Sequence, residues 1–188
     1  MHMNNVTIRL ATPADTKAVI ALCQPIYAEV YPNAKYGMKP EHFSKEVFAS
    51  QNTFDHFASM LSSDPHKRAY AALSDDQIIG SIAIERKPDN YEMHMFYVSP
   101  DFRGQGVGGR LFAKALEFVT ESLPIRGNAA ETNKTAIDMY LRWGFHLVPE
   151  DGVKLRHWPE WPEGVVNGYI SLEADKADLR VLVTTNEA

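Results

Sequence analysis

From Val98 the chain reads Val98-Ser99-Pro100-Asp101-Phe102-Arg103-Gly104-Gln105-Gly106-Val107-Gly108-Gly109, with four glycines in six positions. Before it, Tyr91 to Val98 has the pattern of a strand. After it, Leu111, Phe112, Ala115, Leu116 and Val119 share one face of a helix. A glycine-rich turn therefore joins a strand to a helix. The first N–H groups of a helix are unpaired and lie at the positive end of its dipole, and glycines let a ligand approach them closely. An anion, above all a pyrophosphate, is what such a turn holds. Gly104 to Gly109 matches GxGxxG, and Glu131 stands where a ribose-binding acid would sit in a dinucleotide fold. That fold is rejected: its first glycine should follow the strand almost at once, whereas Ser99 to Arg103 intervene, and too few strand–helix units follow. A Walker loop is excluded because no Gly-Lys-Ser/Thr occurs.

Outward from the turn the elements are short and regular. Arg68 to Leu73, Gln77 to Glu85 and Tyr91 to Val98 are separated by Ser74-Asp75-Asp76 and Lys87-Pro88-Asp89-Asn90, which predicts an antiparallel meander. Upstream, Val6 to Leu10 is a strand, and Thr12-Pro13-Ala14-Asp15 opens a helix to about Tyr27. Phe43 to Leu61 predicts one or two helices broken near Asn52-Thr53. Downstream, the helix after Gly108 ends before Pro124, Ile125 to Ala130 is a strand, and Lys134 to Trp143 is a helix closed by Gly144. Phe145 to Val148 and Gly168 to Leu172 are strands. Leu179 to Thr184 stays open between an eighth strand and a homodimer contact.

The 188 residues fit one domain, residues 1–188, with a core over about 6–172 and an extension over 173–188. An apolar content of 45% with 11% aromatics supplies a core and excludes disordered, collagenous and disulfide-stapled classes. The single Cys23 can form no internal disulfide. Nothing approaches the roughly 18–20 apolar residues of a membrane span, and Met1 to Leu10 lacks a basic segment followed by an apolar one, so a cytoplasmic protein off the membrane is expected. A net charge of -5 argues against nucleic acid. The seven histidines show no ligand spacing, so no metal is expected.

Val98 to Gly108 resembles the signature of the GNAT superfamily of acetyl-coenzyme-A-dependent N-acetyltransferases, whose core is Gln/Arg-x-x-Gly-x-Gly/Ala. A second signature is similar independently: Asn133, Ala136, Met139-Tyr140 and Gly144-Phe145 stand at the spacing of Asn-x-x-Ala-x-x-Phe-Tyr-x-x-x-Gly-Phe. The resemblance implies an α/β (α+β) fold with a mixed, mostly antiparallel central sheet flanked by helices. The sheet would splay between the Tyr91–Val98 and Ile125–Ala130 strands to hold acetyl-coenzyme A. Its pyrophosphate would rest on the amides of Gln105, Gly106, Val107, Gly108 and Gly109, with Arg103 and Gly104 leading in. Its pantetheine arm would pair with backbone near Phe96 and Val98, beside Asn133 and Tyr140.

Acetyl transfer to an amine needs a neutral amine, a stabilised oxyanion and a proton for the departing thiolate. The resemblance makes Tyr140 the acid; a core tyrosine is the bland reading. Asn133 serves equally as a helix N-cap. For the base, strand alternation puts Glu92, His94, Phe96 and Val98 on one face and Tyr91, Met93, Met95 and Tyr97 on the other. Glu92 matches the position where some relatives carry a general base, with Glu131 as the runner-up. Cys23 is read as buried and inert. His157-Trp158-Pro159-Glu160-Trp161-Pro162-Glu163-Gly164 is weighed as a cation-binding lid against a stiff connector packing its rings on the sheet, which is favoured. Tyr27, Tyr31 and Tyr36 fall where such enzymes place the acceptor wall. The acceptor stays open, and a noncatalytic acyl-coenzyme-A-binding module is the alternative.

Overall fold

The computed structural model describes residues 6–180. Its sheet is built from β1 (Thr7–Leu10), β2 (Lys67–Ser74), β3 (Gln77–Arg86), β4 (Tyr91–Val98), β5 (Ile125–Ala130), β6 (His146–Leu147), β7 (Lys154–Arg156) and β8 (Asn167–Ala174). Five helices accompany it: α1 (Thr16–Val30), α2 (Lys45–Phe48), α3 (Gln51–Met60), α4 (Val107–Leu116) and α5 (Lys134–Arg142). The strand order is β1-β2-β3-β4-β5-β8-β6, with β7 also on β8. Every pairing is antiparallel except β4 with β5.

Local chemistry sets the joints. Asp75 and Asp76 both adopt positive φ (49° and 62°), so the β2–β3 turn has the twist that suits a tight hairpin. Ser44 and Ser50 cap α2 and α3 by accepting from Val47 and Thr53 backbone N–H, and Ser50 thus breaks the chain slightly before the expected Asn52-Thr53. α1 runs past the predicted Tyr27 to Val30, and α4 stops at Leu116, well short of Pro124. The strand predicted over Phe145 to Val148 shrinks to His146–Leu147, and most of Leu179 to Thr184 lies outside the described residues.

The joint that matters most lies in β4. Ser81 pairs with Tyr97 but Ala83 with His94, so Met95 and Phe96 together face the single residue Ile82, and Met95 takes a φ of 49°. This is a β-bulge, which bends and twists a strand and shifts its alternation by one. The expected grouping of Glu92 and His94 with Phe96 and Val98 is therefore wrong. Tyr91, Met93, Phe96 and Val98 pack in the core beneath α4, whereas Met95 and Tyr97 belong to the opposite core. Strict alternation cannot see a bulge.

Past Glu92, just ahead of the bulge, the sheet opens. β4 and β5 pair only at Tyr91↔Ile125 and Glu92↔Arg126, after which β5 turns its whole length to β8. On one side Leu111, Phe112 and Ala115 of α4 are fully buried, and Trp143 stacks on Phe112 at 5.0 Å and 7°. On the other, α1, α2 and α3 enclose Cys23, Phe43, Phe57 and Trp161. The site lies where these two cores meet through the opened sheet.

Candidate active site

The glycine turn enters α4 with Gly106 as N-cap at φ 78°, in the left-handed region where only glycine is unstrained. Among the described residues, none of the backbone N–H groups from Gly104 to Gly109 finds an acceptor; the first to do so is Arg110, on Gly106 O at 3.0 Å. A cradle of free donors at a helix start fits the pyrophosphate of acetyl-coenzyme A. A Cβ at Gly104 would meet nothing within 4 Å, so the approach is open. The side chains brace the turn: Gln105 Nε2 donates to Asp101 O at 2.8 Å, and the Arg103 guanidinium donates to Glu29 at 3.3 and 3.4 Å and to Val98 O at 3.3 Å. Arg103 thus ties the turn to α1. Val107 and Gly109 are buried beneath it, and Gly108 lies over the Phe96 and Val98 side chains at ordinary contact distance.

Past Glu92 the β4 backbone edge facing β5 has no strand partner, so Phe96 and Val98 border a gap into which an extended chain can pair. Asn133 caps α5, its Oδ1 accepting from Ala136 N at 3.1 Å, so the N-cap reading holds. Tyr140 lies beside this gap. Its ring is 6.4 Å from Phe96 and 5.2 Å from Phe145, and Gly127 of β5 lets it close in: a Cβ there would come within 2.8 Å of Met93 Cε and 3.7 Å of Tyr140 Cζ. Its hydroxyl makes no hydrogen bond among the described residues, and burial pushes the phenol above its ordinary range. It is a protonated donor at neutral pH.

On the opposite face a cavity of about 290 Å³ is lined by Glu92, His94, Tyr97 and Asn128 of the sheet, Tyr27 and Tyr31 of α1, and Arg156 and Tyr169. Asn128 Nδ2 donates to Glu92 Oε1 at 3.2 Å, which fixes the carboxylate at the open end of the β4–β5 pairing. His94 Nε2 lies 3.9 Å from Glu92 and 3.3 Å from Glu85, but off-line for a hydrogen bond, so this buried nitrogen has no partner. Burial outweighs the two acids and pushes its imidazole below the ordinary value, leaving it neutral near pH 7. The Tyr31 and Tyr97 hydroxyls bond each other at 2.6 Å, and burial raises both phenols.

Other candidates are placed elsewhere. Glu131 binds Lys35 Nζ at 3.1 Å and Asn33 Nδ2 at 3.4 Å; burial opposes ionisation, but these partners hold its carboxyl below the ordinary value. It straps the 33–38 turn to the sheet. Tyr36 belongs to that strap, so close over Gly168 that a Cβ there would lie 2.5 Å from its ring. Cys23 is fully buried and burial raises its thiol, which suits no nucleophile. Trp158 and Trp161 are tied to the segments between β1 and β2: Trp161 donates to His42 O at 3.0 Å and Trp158 to Thr53 Oγ1 at 3.3 Å, and Trp161 belongs to the core shared with Ala69, Ala83 and Met95 of the sheet. Among the described residues no group of His, Cys, Asp and Glu could hold a metal ion, and no helix is long and apolar enough to cross a membrane. Sequence reasoning missed Asn128, His56, Arg156 and Tyr169, which four different elements bring to one cavity; Arg156 escaped because β7 is three exposed residues without alternation.

The acetyltransferase (GNAT) family profile matches residues 27–145. N-alpha-acetyltransferase RimI of Mycobacterium tuberculosis is 29% identical over 98 residues, which are 50% of this chain and 60% of RimI. The chain's matches span 23%, 60% and 25% of the length of three curated relatives. A GNAT-family acetyltransferase from Streptococcus pneumoniae shares the fold at a TM-score of 0.62 and 16% identity, over 91% of this chain and 99% of that one. PaiA N-acetyltransferase of Thermoplasma acidophilum, in complex with coenzyme A, shares it at 0.54 and 17% identity over 91% and 99%.

Proposed function

The chain belongs to the acetyltransferase (GNAT) family, whose donor is acetyl-coenzyme A, and from that premise we propose that it moves the acetyl group to a primary amine of a small molecule or peptide by direct attack in a ternary complex. Residues 1–188 act as one N-acetyltransferase domain. The observation that carries the reading is the run of unpartnered N–H groups from Gly104 to Gly109 at the end of the opened β4–β5 gap. These amides hold the pyrophosphate, and the free β4 edge at Phe96 and Val98 holds the pantetheine arm. When bound, acetyl-coenzyme A supplies the thioester.

The chain's own groups manage the protons. The amine enters from the Glu92 side of the sheet. Glu92 first takes a proton from the ammonium through a water, with neutral His94 beside it as relay; the freed amine nitrogen then bonds to the thioester carbon and, as the carbon–sulfur bond breaks, gives its second proton to solvent water. Tyr140 donates its phenolic proton to the departing thiolate and regains one from solvent. Buried Cys23 supports direct attack over an acyl-cysteine. The name of RimI points to α-amines as one acceptor class. The test is acetyl-coenzyme-A-dependent thermal stabilisation followed by an amine panel with thiol-release detection. Stabilisation with amine-dependent release is expected. Stabilisation without release on any amine would make the chain a binding module.

A further inference from the structure

Arg156 is the one strongly basic fork lining the cavity, and among the described residues its guanidinium has no acid partner; it lies 5.3 Å over the Tyr169 ring. Its neighbour Lys154 is neutralised by Asp151 at 2.7 Å. The only carboxylate lining the cavity, Glu92, is held by Asn128 on β5. Arg156, although exposed to solvent, still borders the cavity and stands over the Tyr169 ring, near enough for its charge to lower the proton affinity of His56 and His94. A guanidinium without an acid partner, set over an aromatic face, can receive a planar anion through two parallel hydrogen bonds.

A second, smaller space of about 30 Å³ opens beside the cavity and shares Tyr27, His56, Arg156 and Tyr169 with it. Its remaining walls are almost wholly apolar, with Phe43, Phe48, Phe57, Trp158 and Trp161. It takes an apolar branch of a few heavy atoms. The main cavity is at the small end of ligand sites, which run from about 300 Å³.

Resting on the acetyl-transfer reading, we infer that the acceptor is a free α-amino acid with an apolar side chain: its amine at Glu92, its carboxylate on Arg156 and its side chain in the aromatic slot. A peptide N-terminus carries a neutral amide where the carboxylate would be and would leave Arg156 without an anion.

The test compares L-leucine, leucinamide and isopentylamine, which differ in the group offered to Arg156 and, through it, in the basicity of the amine, so kcat/KM is taken per free amine at one pH. Leucine should lead leucinamide by about 10- to 100-fold in kcat/KM, the usual worth of a charge-assisted hydrogen-bond pair. Arg156→Gln should bring the ratio near one, and Arg156→Lys should keep part of it. The ratio is read on one enzyme preparation, so partial misfolding cancels. Equal or better use of leucinamide or isopentylamine by the wild type, or a ratio that survives Arg156→Gln, would overturn the assignment while leaving acetyl transfer intact. No thiol release with any of the three, or with any other amine, would instead defeat the acetyl-transfer reading and this one with it.

Discussion

At the scale of single residues the proposal divides proton traffic between two faces of one sheet. Tyr140 reaches the gap from the α4–α5 side and Glu92 from the α1 side, so their losses should differ in kind. Tyr140→Phe removes only the donor to the leaving sulfur and should lower kcat about 10²-fold, the low end for general acid catalysis, with acetyl-coenzyme A affinity little changed. Equal loss in binding and turnover would mark a packing tyrosine. Glu92→Gln should depress the coenzyme-saturated rate most near neutral pH and least at high pH, where the amine is already deprotonated. A uniform loss would make Glu92 a positioning residue. The sequence nominates both residues, Tyr140 from a spaced signature and Glu92 from the position it matches, although the face shared with Phe96 and Val98 that was expected for Glu92 is lost at the bulge. Glu131 and Tyr36 were not separable from them there, because only the folded chain brings Lys35 to Glu131 and the Tyr36 ring to Gly168.

Elements carried their information unevenly. The meander, the glycine turn and the helix after it were readable because short turns and amphipathic periods are local properties. The bulge at Met95 was not: it is a two-against-one pairing with β3, and β4 is apolar or aromatic throughout from Met95 to Val98, which leaves the face of each of those residues undetermined. β7 escaped for the same reason, since its three residues form a strand only by pairing with β8. The turn itself yields a prediction that separates backbone strain from ligand binding. Gly106 has φ 78° and Gly152, remote from the cradle, has φ 59° with no atom within 4 Å of a Cβ. Alanine should cost about 1–2 kcal/mol of stability at Gly106 through the left-handed backbone, and about 1–3 kcal/mol at Gly152, whose ψ of -159° lies in a region essentially reserved for glycine. Acetyl-coenzyme A at a hundredfold excess over its Kd should stabilise the wild type and Gly152→Ala by about 2.7 kcal/mol, but Gly106→Ala far less. Thermal shifts with and without acetyl-coenzyme A measure both quantities, and an undiminished shift in Gly106→Ala would remove the pyrophosphate from this turn.

Across the whole molecule the sheet separates two cores, and the acceptor-side core holds titratable groups in surroundings that resist their charge. His56 stands where the aromatic slot meets the cavity, edge-on to Trp158 at 4.9 Å and to Phe57 at 5.8 Å. Burial first, then the charges of Arg156, His94 and Lys67, push its imidazole from 6.5 down to about 4. The unfolded chain therefore takes a proton near pH 6.5, whereas the folded chain declines it until about pH 4. Between those values the unfolded state binds more protons, so stability is complete above pH 6.5 and declines as pH falls towards 4. The full difference is at most about 3 kcal/mol, a large part of the 5–15 kcal/mol that holds a domain together. Asp15, held near 2 by Arg9, loses its contribution only below its ordinary 3.8 and so acts in a lower window. His94 is also pushed down and adds to the upper one. His56→Phe keeps an edge-on ring but cannot titrate. Urea midpoints should accordingly fall much further from pH 7 to pH 4 for the wild type than for His56→Phe, with the remaining decline in the variant belonging to His94 and to glutamates held below their ordinary value, such as Glu85 and Glu131. Equal declines would mean that His56 charges freely in the folded protein, and that the acceptor face is wetter than its aromatic walls imply.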